Sequence, residues 1–294
     1  APTAKVIEKV VTPTPVAKKP VALKLWVTDR STINNMTKNF MIPDFVGRNP
    51  YIKVDCEFMP EADLMTKLNT TAAAGTPPDI ASIDEHGLDT LINNQWIRPI
   101  PDGLIDVKNE MGPRLAATYK LPVGDPKAKY YAVPNGTMTS GIYYNEDLLK
   151  KAGYAAKDIP TKWDDFIKWA QTMTIWDGKE VKQTGFAFNK QGYAVQQSAM
   201  YQTGGFYFKN DKQLLIRDQV VLDSYQFMLD LYDKYKLDSR TSPVCRDMFT
   251  LGKAATACSW TWFNGFLIEQ FGTIKWGTVP WPTFTGQPPY TRAD

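Results

Sequence analysis

The residues best equipped for chemistry stand in one short run late in the chain, Ser259-Trp260-Thr261-Trp262, where two indoles alternate with two hydroxyl side chains. At strand spacing Trp260 and Trp262 face the same way. An indole offers a flat apolar face with a polar edge, which suits a polar, ring-shaped ligand as well as it suits a core. Nine tryptophans and fourteen tyrosines among 294 residues leave both uses open. Two more polar groups follow runs that read as strands: Asp29-Arg30-Ser31 after Leu23, Leu25 and Val27, and Asp84-Glu85-His86 after residues 79–83. Each charge alone reads as a solvated loop residue, but as sets at strand ends they are candidates for ligand contacts. A catalytic reading has less to build on. His86 is the single histidine, and no serine or cysteine sits in a nucleophile-elbow context. Carboxylate pairs for glycoside hydrolysis can be assembled from many Asp and Glu, but sequence spacing does not fix their separation in space.

Bulk properties narrow the classes further. The three cysteines, Cys56, Cys245 and Cys258, fit no zinc spacing, and one histidine gives no His/Cys ligand cluster, so neither a metal nor another cofactor is expected. A net charge of +3, partly carried by the lysines of the first twenty residues, gives no basic face for nucleic acid. No apolar run is long enough to span a bilayer, and no signal peptide is recognisable.

At this length two domains are expected. Residues 1–20, rich in Pro, Thr, Lys, Val and Ala, read as a flexible tether. The alternating strand of Leu23, Leu25 and Val27 leads to a helix capped from Asp29-Arg30-Ser31-Thr32 and kinked or restarted at Pro43. Ile52, Val54, Cys56 and Phe58 alternate with charged residues as a half-exposed strand, with Cys56 inward. A helix over residues 61–74, a short buried strand over 79–83 and a helix carrying Leu88, Leu91 and Ile92 continue a strand–helix alternation that implies a largely parallel sheet. Residues 129–153 read as the junction: an extended run, the turn Pro134-Asn135-Gly136, a second extended run to Tyr144, then a helix capped by Asn145 and stopped by Gly153. Beyond it, Thr161 can cap an amphipathic helix with Trp163, Phe166, Ile167, Ala170 and Met173 on its core face. A polar loop over 189–193, a helix to Gly204, a hairpin, a long helix, a strand over 255–258, a helix after Asn264 and a strand at 276–279 follow.

These residues resemble the extracytoplasmic solute-binding proteins of ABC importers, in the carbohydrate-binding group that includes maltose-binding protein. The resemblance rests on residues 45–54, on Lys67-Leu68-Asn69 leading to Gly75-Thr76-Pro77-Pro78-Asp79-Ile80, and on the string from Ser140-Gly141-Ile142 to Asp147-Leu148-Leu149. Thr161-Lys162-Trp163-Asp164-Asp165-Phe166, Leu251-Gly252-Lys253-Ala254-Ala255 and Gly277-Thr278-Val279-Pro280-Trp281-Pro282 extend it, and order and spacing together make it specific. It implies a two-lobed α/β fold, each lobe a mainly parallel sheet flanked by helices, with lobes at 21–135 and 136–294 joined by hinge strands. A mono- or oligosaccharide would lie between the lobes and be delivered to the membrane permease of an importer. The implied contacts are Asp29, Arg30, Ser31, Asp84 and Glu85, with His86 in the same loop, on one wall. Met138 of the hinge strand (135–143), Gln191, Gly192, Tyr193, Trp260 and Trp262 lie on the other, Trp262 matching the stacking position. The resemblance further implies a monomer without catalytic residues or cofactor, an extracytoplasmic location, and a chain cut short after Asp294, leaving the first lobe incomplete; the tether of residues 1–20 reads as a spacer after a removed export signal or a lipid anchor, the alternative being an ordinary frayed terminus. Export to an oxidising compartment would permit a disulfide between Cys245 and Cys258. The alternatives left open are a carbohydrate-active extracellular enzyme and a binding protein for a non-sugar solute such as a polyamine.

Overall fold

The computed structural model describes residues 18–83, 87–106, 120–121, 127–209, 213–284 and 286. The chain divides into two compact units, Ala1–Arg98 and Pro99–Asp294. In the first, β1 (Val21–Thr28) lies between β2 (Ile52–Met59) and β3 (Ile80–Ser82), parallel to both, with Val21 opposite Ile52 and Leu25 opposite Ile80. Parallel neighbours need crossovers, and the chain supplies helices. α1 (Ser31–Met36) passes through a π-helical segment, Thr37–Met41, into α2 (Ile42–Arg48), while α3 (Glu61–Ala73) returns β2 to the sheet. The helix does not break at Pro43. Proline removes one N–H and its ring crowds the carbonyl four residues back, and the widened π segment lies where that crowding falls. Trp26, Met59, Leu64, Leu68 and Leu91, the last from α4 (Leu88–Asn93), form the core. β3 is not the buried strand expected: among the described residues it pairs only with β1, and Ile80 is 51% exposed.

The second unit holds a five-stranded sheet in the order β12-β6-β11-β8-β7. The strands are β6 (Ser140–Asn145), β7 (Ile175–Asp177), β8 (Glu180–Ala187), β11 (Ala254–Trp260) and β12 (Trp276–Val279). β4 (Lys120–Leu121) and β5 (Lys129–Tyr130) make a separate antiparallel pair, as do β9 (Phe208–Lys209) and β10 (Gln213–Leu214). The five-stranded sheet is mixed rather than mainly parallel. β8 and β11 are parallel, but β6 runs against both β11 and β12, and β7 against β8. All seven residues of β11 are buried, so both its faces are covered.

Among the described residues the unit also holds the helices α5 (Glu146–Lys151), α6 (Trp163–Thr172), α7 (Gly192–Gln202), α8 (Gln219–Asp233), α9 (Cys245–Thr250) and α10 (Trp262–Gln270). α5 is built as its sequence predicts: the Asn145 side chain accepts from the N–H groups of Asp147 and Leu148, acids begin it, lysines end it, and Gly153 follows with φ +82°. α6 buries the expected Trp163, Phe166, Ile167 and Ala170, with Met173 just past its end. Its cap differs. Lys162 holds the N-cap position without a side-chain bond, and the Thr161 carbonyl accepts from the Thr283 N–H at 2.9 Å. Trp163 packs against Phe166, Phe186, Phe227, Trp281 and Phe284 with ring centroids 5.0–6.3 Å apart. Gly185 of β8 is required by contact: a Cβ there would lie 1.8 Å from the Ala170 carbonyl oxygen.

Candidate functional site

In the first unit, the end of β1 carries two of the predicted contacts. Asp29 is held by its N–H on the Met59 carbonyl at 2.7 Å and accepts from the Asn34 amide. Arg30 pairs with Glu61, at the start of α3, at 2.9 Å. The loops after β1 and β2 are thus tied together at the strands' carboxyl ends, where open α/β sheets present ligand-binding groups. The pair is partly solvated, so its value is positional more than energetic. The Ser31 side chain and Asp84, Glu85 and His86 lie outside the described residues.

In the second unit, the carboxyl ends of β8 and β11 bring Gln191, Tyr193 and Trp260 together. The chain leaves β8 through Phe188 and Asn189, whose N–H groups donate to the buried Asp238 carboxylate at 2.9 and 3.0 Å. Cys245 N–H binds the Asn189 carbonyl at 3.1 Å, and the Cys258 thiol reaches the Gln191 carbonyl at 3.9 Å. Cys258 and Trp260 alternate on β11, so the turn above this strand passes Gln191 over the first and Tyr193 over the second. The Tyr193 and Trp260 rings are stacked, with centroids 5.3 Å apart and planes at 27°. Trp260 is 4% exposed and Tyr193 47%. Two polar atoms in this group, Trp260 Nε1 and Gln191 Oε1, are buried with no hydrogen-bond partner among the described residues. Buried polar groups are nearly always paired, and an orphan donor and an orphan acceptor can each partner a hydroxyl, which both accepts and donates.

Two expectations change here. Gly192 and Tyr193 belong to the first turn of α7 rather than to a loop. The strand ends at Trp260 and α10 starts at Trp262, so the two indoles do not share a strand face. Trp262 is instead half-buried, edge-on to Phe263 and Phe266. Met138 is partly buried against the unit's core. Gly141, within the expected hinge strand over 135–143, is a paired sheet residue opposite Ser259, and a Cβ there would lie 3.2 Å from the Val279 carbonyl.

Sequence reading missed two supporting groups. Asp238, 1% exposed, anchors the end of β8; burial raises its carboxyl above the ordinary range, against the opposing pull of the N–H groups it accepts from. Beside Trp260, Thr139, Ser140, Tyr143, Thr261, Asn264 and Trp281 border a depression of about 320 Å³. Tyr143 lies more than a hundred residues from its partners, and Asp238 about fifty from the N–H groups it holds, so only the tertiary fold reveals either. Cys245 and Cys258 are free thiols, Cys245 Sγ donating to the Cys258 carbonyl at 3.4 Å. No group of three or more His, Cys, Asp or Glu among the described residues is arranged to hold a metal.

Residues 30–293 match the family described as bacterial extracellular solute-binding protein, and the chain belongs to that family. The lactose-binding protein of Rhizobium radiobacter is 27% identical over 210 residues, 69% of this chain and 43% of that protein. The arabinooligosaccharide-binding protein of Bacillus subtilis is 24% identical over 255 residues, 83% and 57% respectively. The chain thus spans about half the length of these relatives. Among solved structures, an ABC transporter solute-binding protein from Thermotoga lettingae bound with alpha-D-tagatose superposes with a TM-score of 0.73, at 21% identity, covering 94% of this chain and 71% of that one. The ABC substrate-binding protein of Listeria monocytogenes in complex with cycloalternan gives 0.74 at 19% identity, covering 94% and 69%. The fold is the two-lobed, periplasmic-binding-protein-like α/β fold.

Proposed function

We infer that the protein binds a mono- or oligosaccharide between two lobes, 21–135 and 136–294, and hands it to the permease subunits of an ABC importer outside the cytoplasm. It acts as a monomer, without turning the sugar over, and residues 1–20 tether it to a lipid anchor. The observation that carries the reading is the stacked Tyr193–Trp260 pair, whose Tyr193 ring is half exposed, together with the buried Trp260 Nε1 and Gln191 Oε1 that have no partner among the described residues: an aromatic face for the C–H face of a pyranose, and a donor and an acceptor for hydroxyls. Membership of the solute-binding family, and relatives named for binding lactose and arabinooligosaccharides, support the same class of ligand. Asp29, Arg30, Ser31, Asp84 and Glu85 supply contacts from the first lobe, and Met138, Gln191, Tyr193, Trp260 and Trp262 from the second.

Calorimetry with lactose, maltotriose and arabinotriose, followed by chromatography of the recovered sugar, tests this. Saturable binding with the sugar returned intact is the expected result. Cleaved sugar at enzyme-like turnover would replace binding with catalysis, and saturable binding of spermidine with no response to any sugar would overturn the ligand class.

A further inference from the structure

A half-buried antiparallel pair turns its apolar side chains inward and its polar ones to water, and one hairpin of the second unit does not. In the β9–β10 pair Phe208 stands opposite Leu214, and the Leu215 N–H bonds the Tyr207 carbonyl at 2.7 Å, carrying the ladder one pair further. Residues two apart along a strand share a face, so Phe206 and Ile216 lie on the same side as Phe208 and Leu214. That side faces water: Phe206, Phe208, Leu214 and Ile216 are 58%, 56%, 56% and 45% exposed. The residues between them, Tyr207 and Leu215, are the half-buried ones.

The hairpin is held from beneath, so this face is presented rather than frayed. The Tyr207 hydroxyl donates to Gln196 Oε1, and Gln196 Nε2 donates to Ser224 Oγ at 2.7 Å, tying the hairpin to α7 and α8 through two buried side chains. Gly205 at its base has no room for a side chain: a Cβ would lie 2.7 Å from Met200 Cγ and 2.8 Å from Val220 Cγ1. Cations flank the apolar face. Lys209 and Arg217, next along the strands after Phe208 and Ile216, are both exposed, and neither pairs with a carboxylate among the described residues. The connecting Asn210-Asp211-Lys212 adds no net charge, and Asp218 stands at the N-cap of α8, where the positive end of the helix offsets it.

We propose that the outer face of the β9–β10 hairpin is a membrane contact, seating Phe206, Phe208, Leu214 and Ile216 at the headgroup boundary of an anionic phospholipid surface. Area and charge favour this occupant over a second copy of the chain. At about 200 Å² for a large side chain, the four half-exposed groups present about 400 Å². That is half of the roughly 800 Å² each partner gives to a stable protein interface. A lipid surface demands no matching shape, and binding to it grows with the apolar area buried and with the attraction of basic residues to anionic headgroups. Lys209 and Arg217 meet that second need, their long stems carrying charge to the headgroups beside the apolar side chains. A contact of this size is reversible. It lies outside the sugar reading and does not depend on it.

Sedimentation of the full chain with vesicles tests this, using phosphatidylcholine alone and phosphatidylcholine with phosphatidylglycerol. Wild type should sediment severalfold more with the anionic vesicles, and added salt should weaken that binding. Phe208→Ser combined with Leu214→Ser should cut it severalfold at an unaltered urea midpoint, and Lys209→Glu combined with Arg217→Glu should remove the preference for phosphatidylglycerol. A second reading needs no loss of binding: an environment-sensitive fluorophore on Phe208→Cys, in a Cys56→Ser background, should brighten and shift to the blue on anionic vesicles. Unchanged emission would overturn the proposal even where the serine pair fails to fold. Absence of sedimentation with either vesicle would overturn it too. Binding that the serine pair leaves intact would assign the lipid contact to the lysines of the first twenty residues instead. A concentration-dependent dimer that the same pair dissociates would give the face to a second copy and likewise end the proposal.

Discussion

The Tyr143 hydroxyl donates to the carbonyl of Trp260 at 2.9 Å and lies 2.5 Å from Asn264 Oδ1, joining β6, the end of β11 and α10 through one phenol. Burial pushes its pKa well above the ordinary 10.0, and burial acts in the same direction on Tyr232. In the unfolded chain both phenols ionise near pH 10, whereas in the folded chain they stay protonated to higher pH. The unfolded state then binds fewer protons, so stability present below about pH 10 is lost as pH rises through the folded-state values. Urea midpoints should fall steeply above pH 10, and Tyr143→Phe should flatten that fall while costing roughly 1–2 kcal/mol at neutral pH. The same slope in wild type and variant would remove Tyr143 from the account.

Trp262→Ala should leave the cooperative melting transition in place, because the ring is half-buried and meets Phe263 and Phe266 edge-on. If Trp262 touches the sugar, the same variant weakens binding at least tenfold, the scale of one lost aromatic contact. An unchanged dissociation constant would leave Trp260 and Tyr193 as the aromatic contacts.

Gly185→Ala is expected to be among the most damaging single changes in the second unit. The added methyl would fall on the Ala170 carbonyl, so α6 must lift from β8, at or above the roughly 1–3 kcal/mol of ordinary overpacking. Denaturant midpoints of the purified variant measure this; an unaltered midpoint would mean that α6 does not rest on β8 at this point.

Thiol counting separates the three cysteines. Cys245 and Cys258 are buried, and burial together with the neighbouring Cys245 pushes the Cys258 thiol far up, so neither should react in the native protein. Cys56, half-buried on β2, should react first. Under denaturing, non-reducing conditions three thiols are expected, and a count of one would establish a bridge between Cys245 and Cys258.

Local signals carried much of this architecture. The alternation of Ile52, Val54, Cys56 and Phe58, the cap at Asn145 and the apolar face from Trp163 to Met173 each depend on neighbours within one turn or one pleat, and such patterns are visible in a linear string. The direction of β6 was not visible, because nothing within the strand records whether its neighbours run with it or against it. The Thr161 cap missed by one residue, the N-cap position falling on Lys162. At the candidate site, residue types pointed to Gln191, Tyr193 and the two tryptophans. The order among them needed the structure: one residue, Thr261, separates the end of a strand from the start of a helix, and that break sends Trp260 and Trp262 different ways.

The position of β6 also bears on synthesis. It is the first strand made of the five-stranded sheet, yet both its neighbours come late: β11, reached by the Tyr143–Trp260 bond across 117 residues, and β12, beside the Ser140–Trp281 bond across 141. Contacts so distant along the chain give high contact order, and loop closure must precede any gain from them, which slows folding. A ribosome must therefore deliver the chain through Trp260 before β6 can gain its first neighbour, and through Val279 before this sheet can close. Such a nascent chain stays open for longer than one built from adjacent hairpins, a state that suits threading through a translocation pore and at the same time exposes it to aggregation.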